Sequence, residues 1–340
     1  MKPLRVGILG YGRSGSSLHA DAIERSADYE MGAVCDIDPE RRRQARDRFH
    51  CTTYVDYREM LDDEALDLVS IVTRTDQHCQ MTCDCLHGGV NVLVTKPWCS
   101  DEGEALRMIG AADETGCGLY PWLPARWGCV YRRVREIVQS GQIGNVFCVR
   151  RAVGGFASRN DWQTQSKYGG GYLLNWGPHI IDTAMLVGGA DVRNVHAWMR
   201  QVIIPGDTED VFFADMELAN GCRVLAERTV AVEGPPSWYV QGDGGTLIAG
   251  QMDITVYRGM PSSPDDPTDQ GAMQERETGV EQESVDGARW GDAEAIYAEL
   301  AEDLRGHGQF PVTPDDALQL TRVMDAVRES SERNDVVELL

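Results

Sequence analysis

Lys96, in the segment Val92-Leu-Val-Thr-Lys-Pro-Trp98, is one of three lysines in a chain that writes the rest of its positive charge as twenty-nine arginines. A guanidinium stays charged at any pH a protein survives, whereas a desolvated lysine shifts its pKa and can move a proton. A scarce lysine beside a proline, at the end of an apolar run, is therefore the first candidate for proton chemistry. The second is His179, in Gly169-Gly-Gly-Tyr-Leu-Leu-Asn175-Trp-Gly-Pro-His179-Ile-Ile-Asp182. With a helix starting near Gly177-Pro178, His179 falls in the first turn, Asp182 lies one turn on and Asn175 just ahead. Read alone, this histidine equally suits a cap or a core position. A third pattern, Gly10-Tyr-Gly12-Arg13-Ser14-Gly15, follows an apolar strand directly and opens a helix. Its first glycine permits the tight turn, its second admits backbone N–H groups to a pyrophosphate, and its third lets helix pack on strand. Asp36 closes the next strand, where a carboxylate can bond the adenosine ribose. These residues predict a dinucleotide site. The carboxylate repels a 2′-phosphate, so NAD is expected, with NADP tolerated if Arg41 or Arg42 swings over.

The elements that must position these groups divide the chain in two. Up to about residue 122, apolar runs at Leu4–Leu9, Met31–Cys35, Leu68–Val72, Val90–Val94 and Gly118–Pro121 alternate with helical stretches near 16–26, 39–49, 76–88 and 101–115. That alternation predicts an α/β Rossmann domain, 1–122, with helices on both faces of a parallel sheet. Residues 123–340 read as an α+β domain with a large, open, mostly antiparallel sheet. It has a helix over Trp127–Gln139, a strand at Asn145–Val153 and a helical segment near Pro178–Val187. Strands follow at Val192–Ile203, Val211–Leu218, Cys222–Val230, Ser237–Gln241 and Thr246–Ile248, with turns at Asn220-Gly221 and Gly244-Gly245. The stretch 259–289, rich in proline and acids, reads as a mobile loop. Two helices, near 291–305 and 314–331, close the chain, the second capped by Thr313-Pro314.

Composition narrows the function. A net charge of −22 argues against a nucleic-acid partner. No apolar run is long enough to span a bilayer and the N-terminus lacks a secretory pattern, so a cytoplasmic, non-membrane protein is expected. Ten cysteines then read as reduced thiols. His78, Cys79, Cys83, Cys85 and His87 cluster, but on one helix their side chains fan around the axis, so no metal site is expected.

Taken together, the motifs resemble the Gfo/Idh/MocA family of NAD(P)-dependent sugar and polyol oxidoreductases over essentially the whole chain. The matching pieces are the glycine loop with His19-Ala20, Asp36, Asp67-Leu-Val-Ser-Ile-Val-Thr73-Arg-Thr75 with His78, and Val94-Thr-Lys-Pro97. They continue with Gln139-Ser-Gly-Gln-Ile-Gly-Asn-Val146, the triple-glycine stretch to Asp182, and Pro311-Val-Thr-Pro-Asp-Asp-Ala317. The resemblance implies that Thr73, Thr75, His78, Lys96 and Pro97 join the cofactor site. It also implies that Lys96 and His179 meet the substrate across a cleft, and that the protein is a homodimer or homotetramer. Two positions depart from the family pattern: Thr95 stands for its Glu before the lysine, and Asn175 for the Asp four residues before the histidine. Lys96, Asn175 and His179 are thus the catalytic candidates, His179 taking the carbinol proton and Lys96 bonding the developing alkoxide. Trp162 and Trp176 suit stacking on a sugar, with Tyr168 and Arg159 as hydrogen-bonding groups. The expected activity is a sugar, inositol or polyol dehydrogenase. Alternatives are a redox-neutral, NAD-dependent eliminating enzyme and a silent dinucleotide sensor.

Overall fold

The computed structural model describes residues 2–259 and 278–340. Strand β1 (Leu4–Leu9) runs into a helix that carries a π-helical turn over Gly15–His19 and continues as α1 (Ala20–Arg25). Then come β2 (Tyr29–Cys35), α2 (Pro39–Phe49), β3 (Thr52–Tyr54), α3 (Tyr57–Asp63), β4 (Leu68–Ile71) and α4 (Thr75–His87). β5 (Asn91–Thr95), α5 (Glu102–Thr115) and β6 (Leu119–Trp122) complete a parallel sheet of order β3-β2-β1-β4-β5-β6. The order reverses between β1 and β4, so the loops leaving their carboxyl ends diverge and open a crevice. Helices on both faces keep the central strands dry: Leu68, Val69, Ile71, Val92, Leu93 and Val94 are solvent-free, each worth about 1.5–3 kcal/mol over exposure. Local chemistry sets the helix starts. Asp38 accepts the Glu40 N–H at 2.9 Å ahead of Pro39, and Asp101 accepts that of Glu104 at 2.9 Å. β3 and α3 are not expected from the sequence pattern, because three residues of strand show no period and a seven-residue helix buries only Tyr57 and Met60.

The second half opens with a 3₁₀ turn (Pro124–Trp127), α6 (Cys129–Gln139), β7 (Val146–Gly154) and α7 (Tyr172–Gly188). β8 (Val192–Arg200), β9 (Val211–Leu218), β10 (Arg223–Thr229), β11 (Trp238–Gly242), β12 (Gly245–Ala249), β13 (Asp253–Gly259) and β14 (Thr278–Ser284) follow. α8 (Ala293–Leu304), α9 (Pro314–Arg333) and β15 (Val337–Glu338) end the chain. The nine strands order as β14-β13-β12-β11-β7-β10-β9-β8-β15, antiparallel except for β7 beside β10. α7 covers the inner face over β7, β9 and β10.

Two expectations change. The stretch 259–289 is not all loop: Thr278–Ser284 pairs with β13 from Asp253↔Ser284 to Gly259↔Thr278, while residues 260–277 lie outside the described residues. β14 escapes notice because it is a sheet edge with almost every residue exposed, leaving no buried face to give a period. The helix expected near Gly177-Pro178 starts at Tyr172. No local side chain caps it; the Glu209 carboxylate, distant in sequence, accepts the Leu173 N–H at 2.8 Å.

The last helices return to the first sheet. The Tyr297 hydroxyl lies 2.8 Å from Ser70 Oγ and 3.0 Å from His19 Nδ1, and Tyr29 donates to Tyr297 O at 2.7 Å. Burial drives the His19 pKa down to about 3, so this network is neutral. α9 starts with the expected cap, Thr313 and Asp316 bonding reciprocally, and packs on α5, α7 and β8.

Candidate active site

The glycine loop sits at the mouth of the crevice. A Cβ on Gly10, whose φ is +91°, would stand 2.6 Å from Val72 O, and one on Gly15 would stand 2.0 Å from Gly10 O. A Cβ on Gly12 would meet only the Arg41 guanidinium, at 3.5 Å, so the loop's outer side is a cradle open to a ligand. The helix begins beside it at Arg13 and Ser14, where the first N–H groups lack intrahelical partners. Asp36 accepts the Tyr11 and Asp38 N–H groups at 2.7 and 2.9 Å, which fixes its carboxylate toward the loop. The residues therefore fit a dinucleotide. Of the two arginines that could greet a 2′-phosphate, Arg42 is tied to Asp36 O at 2.7 Å, whereas Arg41 is half-exposed and only 3.5 Å from Asp36 Oδ2.

Thr95 ends β5 with its hydroxyl donating to Ile71 O at 3.0 Å, so the residue that replaces the family Glu serves the sheet. The Lys96–Pro97 peptide that follows is cis. Lys96 Nζ donates to Asn175 Oδ1 at 2.7 Å and to Asn175 O at 2.9 Å. Pro178, inside α7, lacks the N–H that would bond Leu174 O, and the next carbonyl, Asn175 O, accepts from the lysine. Burial, then the charges of Arg159 and Arg13, push the Lys96 pKa down to about 7. Asn175 and His179 lie one turn apart, both buried. Asn175 thus serves Lys96 and not the imidazole.

Among the described residues His179 has no carboxylate partner. Asp182, expected to stand by it, instead binds Arg126 at 2.7 and 3.0 Å, and Arg126 reaches on to Asp316 at 3.1 Å. One helical turn carries Asp182 around α7 toward the 3₁₀ turn. His179 Nδ1 is buried without a hydrogen-bond partner among the described residues. Burial, Lys96 and Arg151 all hold the imidazole well below its usual pKa, so it is neutral at pH 7. Trp176 and Trp290 pack around it, with ring centroids 5.8 and 6.1 Å away.

Other expected site residues take different places. His78 is buried, its Nδ1 2.8 Å from Pro97 O and its Nε2 3.2 Å from Thr73 O. A neutral ring donates to only one of them, so His78 braces the two loops that flank the crevice from beneath. Thr75, fully buried, packs on Gly169, where a Cβ would come within 2.6 Å of it. Thr73 is partly exposed beside them, and Pro97 is buried. Trp162 lies in a short 3₁₀ turn, and none of the ring contacts of His179 among the described residues involves it. Arg159 pairs with Asp161 at 2.5 Å, and the Tyr168 ring has the cations of Arg74 and Lys167 at 4.0 and 4.7 Å from its centroid. In the cysteine cluster, Cys79 faces Glu104 O and Cys83 faces Arg107 O, while His87 meets Glu114. Sequence reasoning missed Trp290 and Arg151. Trp290 directly follows the acid-rich stretch 259–289 and is hidden by it, and Arg151 has nothing in its sequence neighbourhood to set it apart from other strand arginines.

Comparison with known proteins agrees with this geometry. Residues 4–121 match the model of an oxidoreductase family with an NAD-binding Rossmann fold, and residues 131–248 match the GFO/IDH/MocA C-terminal domain. The NADP-dependent scyllo-inositol 2-dehydrogenase of Bacillus subtilis is 24% identical over 99% of this chain and 96% of its own. The D-glucoside 3-dehydrogenase of Escherichia coli is 27% identical over 68% of this chain and 71% of its own. The crystal structure of an NAD-binding protein from Listeria innocua superposes with a TM-score of 0.85 at 24% identity, over 99% of this chain and 97% of that one. With both halves matched in order and the glycine loop, Lys96-Pro97 and His179 brought to one crevice, the chain belongs to the Gfo/Idh/MocA oxidoreductase family.

Proposed function

We propose that this protein is an NAD(P)-dependent oxidoreductase that moves a hydride between a nicotinamide cofactor, preferably NAD(H), and a CH–OH carbon of a sugar, inositol or related polyol. Residues 1–122 form the dinucleotide half and 123–340 the substrate half. Gly10, Gly12, Arg13, Ser14 and Gly15 hold the pyrophosphate and Asp36 the ribose, while Thr73 lines the path to the nicotinamide and the buried Thr75 and Pro97 back it from behind. When bound, the cofactor supplies the hydride acceptor or donor; the protein's own residues manage the proton. The observation that carries this reading is the contact of Lys96 Nζ with both oxygens of Asn175 beside His179. With its pKa near 7, Lys96 exchanges a proton at neutral pH, which an unperturbed lysine does not. His179, neutral and flanked by cations, is the poorer base and serves to hydrogen-bond and orient the reacting hydroxyl. This exchanges the roles that the family pattern implies.

Self-association into a homodimer or homotetramer belongs to the same reading. Its support is the outer face of the large sheet, where Trp198, Phe213, Tyr257 and Val280 are exposed. Ten unpaired cysteines suit a cytoplasmic setting. The test is a panel of sugars, inositols and sugar acids with NAD and then NADP, followed by NADH or NADPH absorbance, with Lys96→Ala as the control. Turnover that Lys96→Ala abolishes is expected. Silence across the panel despite measurable NAD binding overturns the reading.

A further inference from the structure

In a chain with a net charge of −22, arginines have acids to spare, and most take one: Arg5 holds Glu64, Arg48 holds Asp21 and Glu24, and Arg133 holds Glu283. Arg151, Arg228 and Arg289 have no carboxylate within ion-pair distance among the described residues. Arg151 and Arg228 project from β7 and β10 onto the sheet face that α7 covers, and both are over nine-tenths buried. Arg151 donates through Nη1 to Ala152 O at 3.0 Å and Ser237 O at 2.9 Å, and its Nε is buried with no acceptor. The Tyr131 hydroxyl nearby is buried too, with the Arg135 guanidinium as its neighbouring donor. A guanidinium buried without a counter-charge is costly to the fold, and an anion supplied from outside removes that cost.

The surroundings say where such an anion sits. Arg151 and Arg289 both lie over the Trp290 ring, at 5.4 and 5.0 Å from its centroid, and that ring packs on His179. They share a pocket with Tyr131, Thr183 and Ser237. The space among them is small, about that of one water, so only the end of a ligand enters it, and a carboxylate there meets a guanidinium fork of matching planar geometry. Arg228 stands on the other side of the aromatic group, over Tyr172 and Trp176.

We propose that the substrate is an acidic sugar or polyol and that Arg151 and Arg289 bind its carboxylate beside Trp290. The proposal deepens the reading of the Lys96–His179 cleft as the substrate site and rests on it. A carboxylate here orients the molecule before chemistry, and it offsets the positive charge that Arg151 lays on His179. The acidic chain as a whole repels anions, so these local cations decide which anion enters and how it lies.

The test measures binding and turnover separately on the full chain. Tryptophan fluorescence is titrated with D-glucuronate, D-glucose and inorganic phosphate in the presence of NADH, and hydride transfer is followed for matched uronates, aldonates and neutral sugars. Acid over neutral preference of roughly tenfold or more is expected, falling roughly tenfold in Arg289→Gln, whose partly exposed side chain makes it the safer substitution for folding. Arg151→Lys keeps the charge but loses the fork and is expected to lower the same preference. Equal binding of acid and neutral sugars, a preference unmoved in Arg289→Gln, or tighter binding of phosphate than of D-glucuronate overturns the proposal. Oxidation of neutral sugars as readily as acids also sinks it while leaving the dehydrogenase intact. Acid binding that Arg289→Gln weakens, without hydride transfer from any compound, sustains the carboxylate site and refutes the dehydrogenase.

Discussion

Asn175→Asp changes one atom group at the heart of the site and nothing in its size. It places a carboxylate where Oδ1 now accepts from Lys96 Nζ at 2.7 Å. An opposite charge this close raises a lysine pKa by about 1–3 units. Taking about 2, worth about 2.7 kcal/mol, the Lys96 pKa moves from about 7 to about 9. At pH 7 the neutral fraction of the lysine then drops from about one half to about one in a hundred, so substrate oxidation slows about fiftyfold. The loss is recovered as pH rises past about 9, because the group still titrates, only later. The assay is kcat/KM for oxidation against pH, which reports groups of the free enzyme. In the parent protein oxidation is expected to rise through pH 7 and the reverse reduction to fall. An unmoved profile refutes the role of Lys96. A faster reaction at pH 7 refutes it differently, since a carboxylate would then be helping an imidazole base at His179.

Gly15→Ala forces a methyl to 2.0 Å from Gly10 O, a backbone atom, and is expected to weaken NADH binding by about tenfold or more in a nicotinamide-fluorescence titration. Affinity within about twofold of the parent contradicts it. Arg41→Ala removes the half-exposed cation beside the Asp36 carboxylate; NADPH affinity should fall about fivefold while NADH affinity holds, and an equal loss of both counts against the assignment. Arg126→Ala strips the buried Asp182 of its partner and should cost about 3–5 kcal/mol, read from the urea midpoint; a loss below about 1 kcal/mol shows that Asp182 finds water or another donor.

Much of this was legible in the residues because it is local. Gly10, Gly12 and Gly15 announce a backbone geometry, and alternating runs such as Leu68–Ile71 and Asn91–Thr95 announce a parallel sheet, since each signal needs only its neighbours. Asp38, Asp101 and Thr313 mark helix starts for the same reason. What stayed hidden depends on partners far away in sequence. The start of α7 is set by Glu209, so neither Gly171 nor Tyr172 betrays it, and the one-turn pairing of Asn175 with His179 could not be seen until that start was known. Asp182 reads as a partner for His179 until Arg126 and Asp316 claim that side of the helix. Arg151 is invisible by type; only its burial without an acid makes it informative.

The return of the last two helices has a mechanical consequence. The chain passes between the two sheets after Trp122, again on entering α8, and a third time when β15 joins β8. Tyr297 pins one crossing to Ser70 and His19, and α9 wedges against elements of both sheets. Three tethers and a wedge oppose a clamshell rotation of one half against the other. Outside that frame, the segment between β7 and α7 touches the first half through lighter contacts, Gly169 against Thr75 and Tyr168 beneath the Arg74 guanidinium.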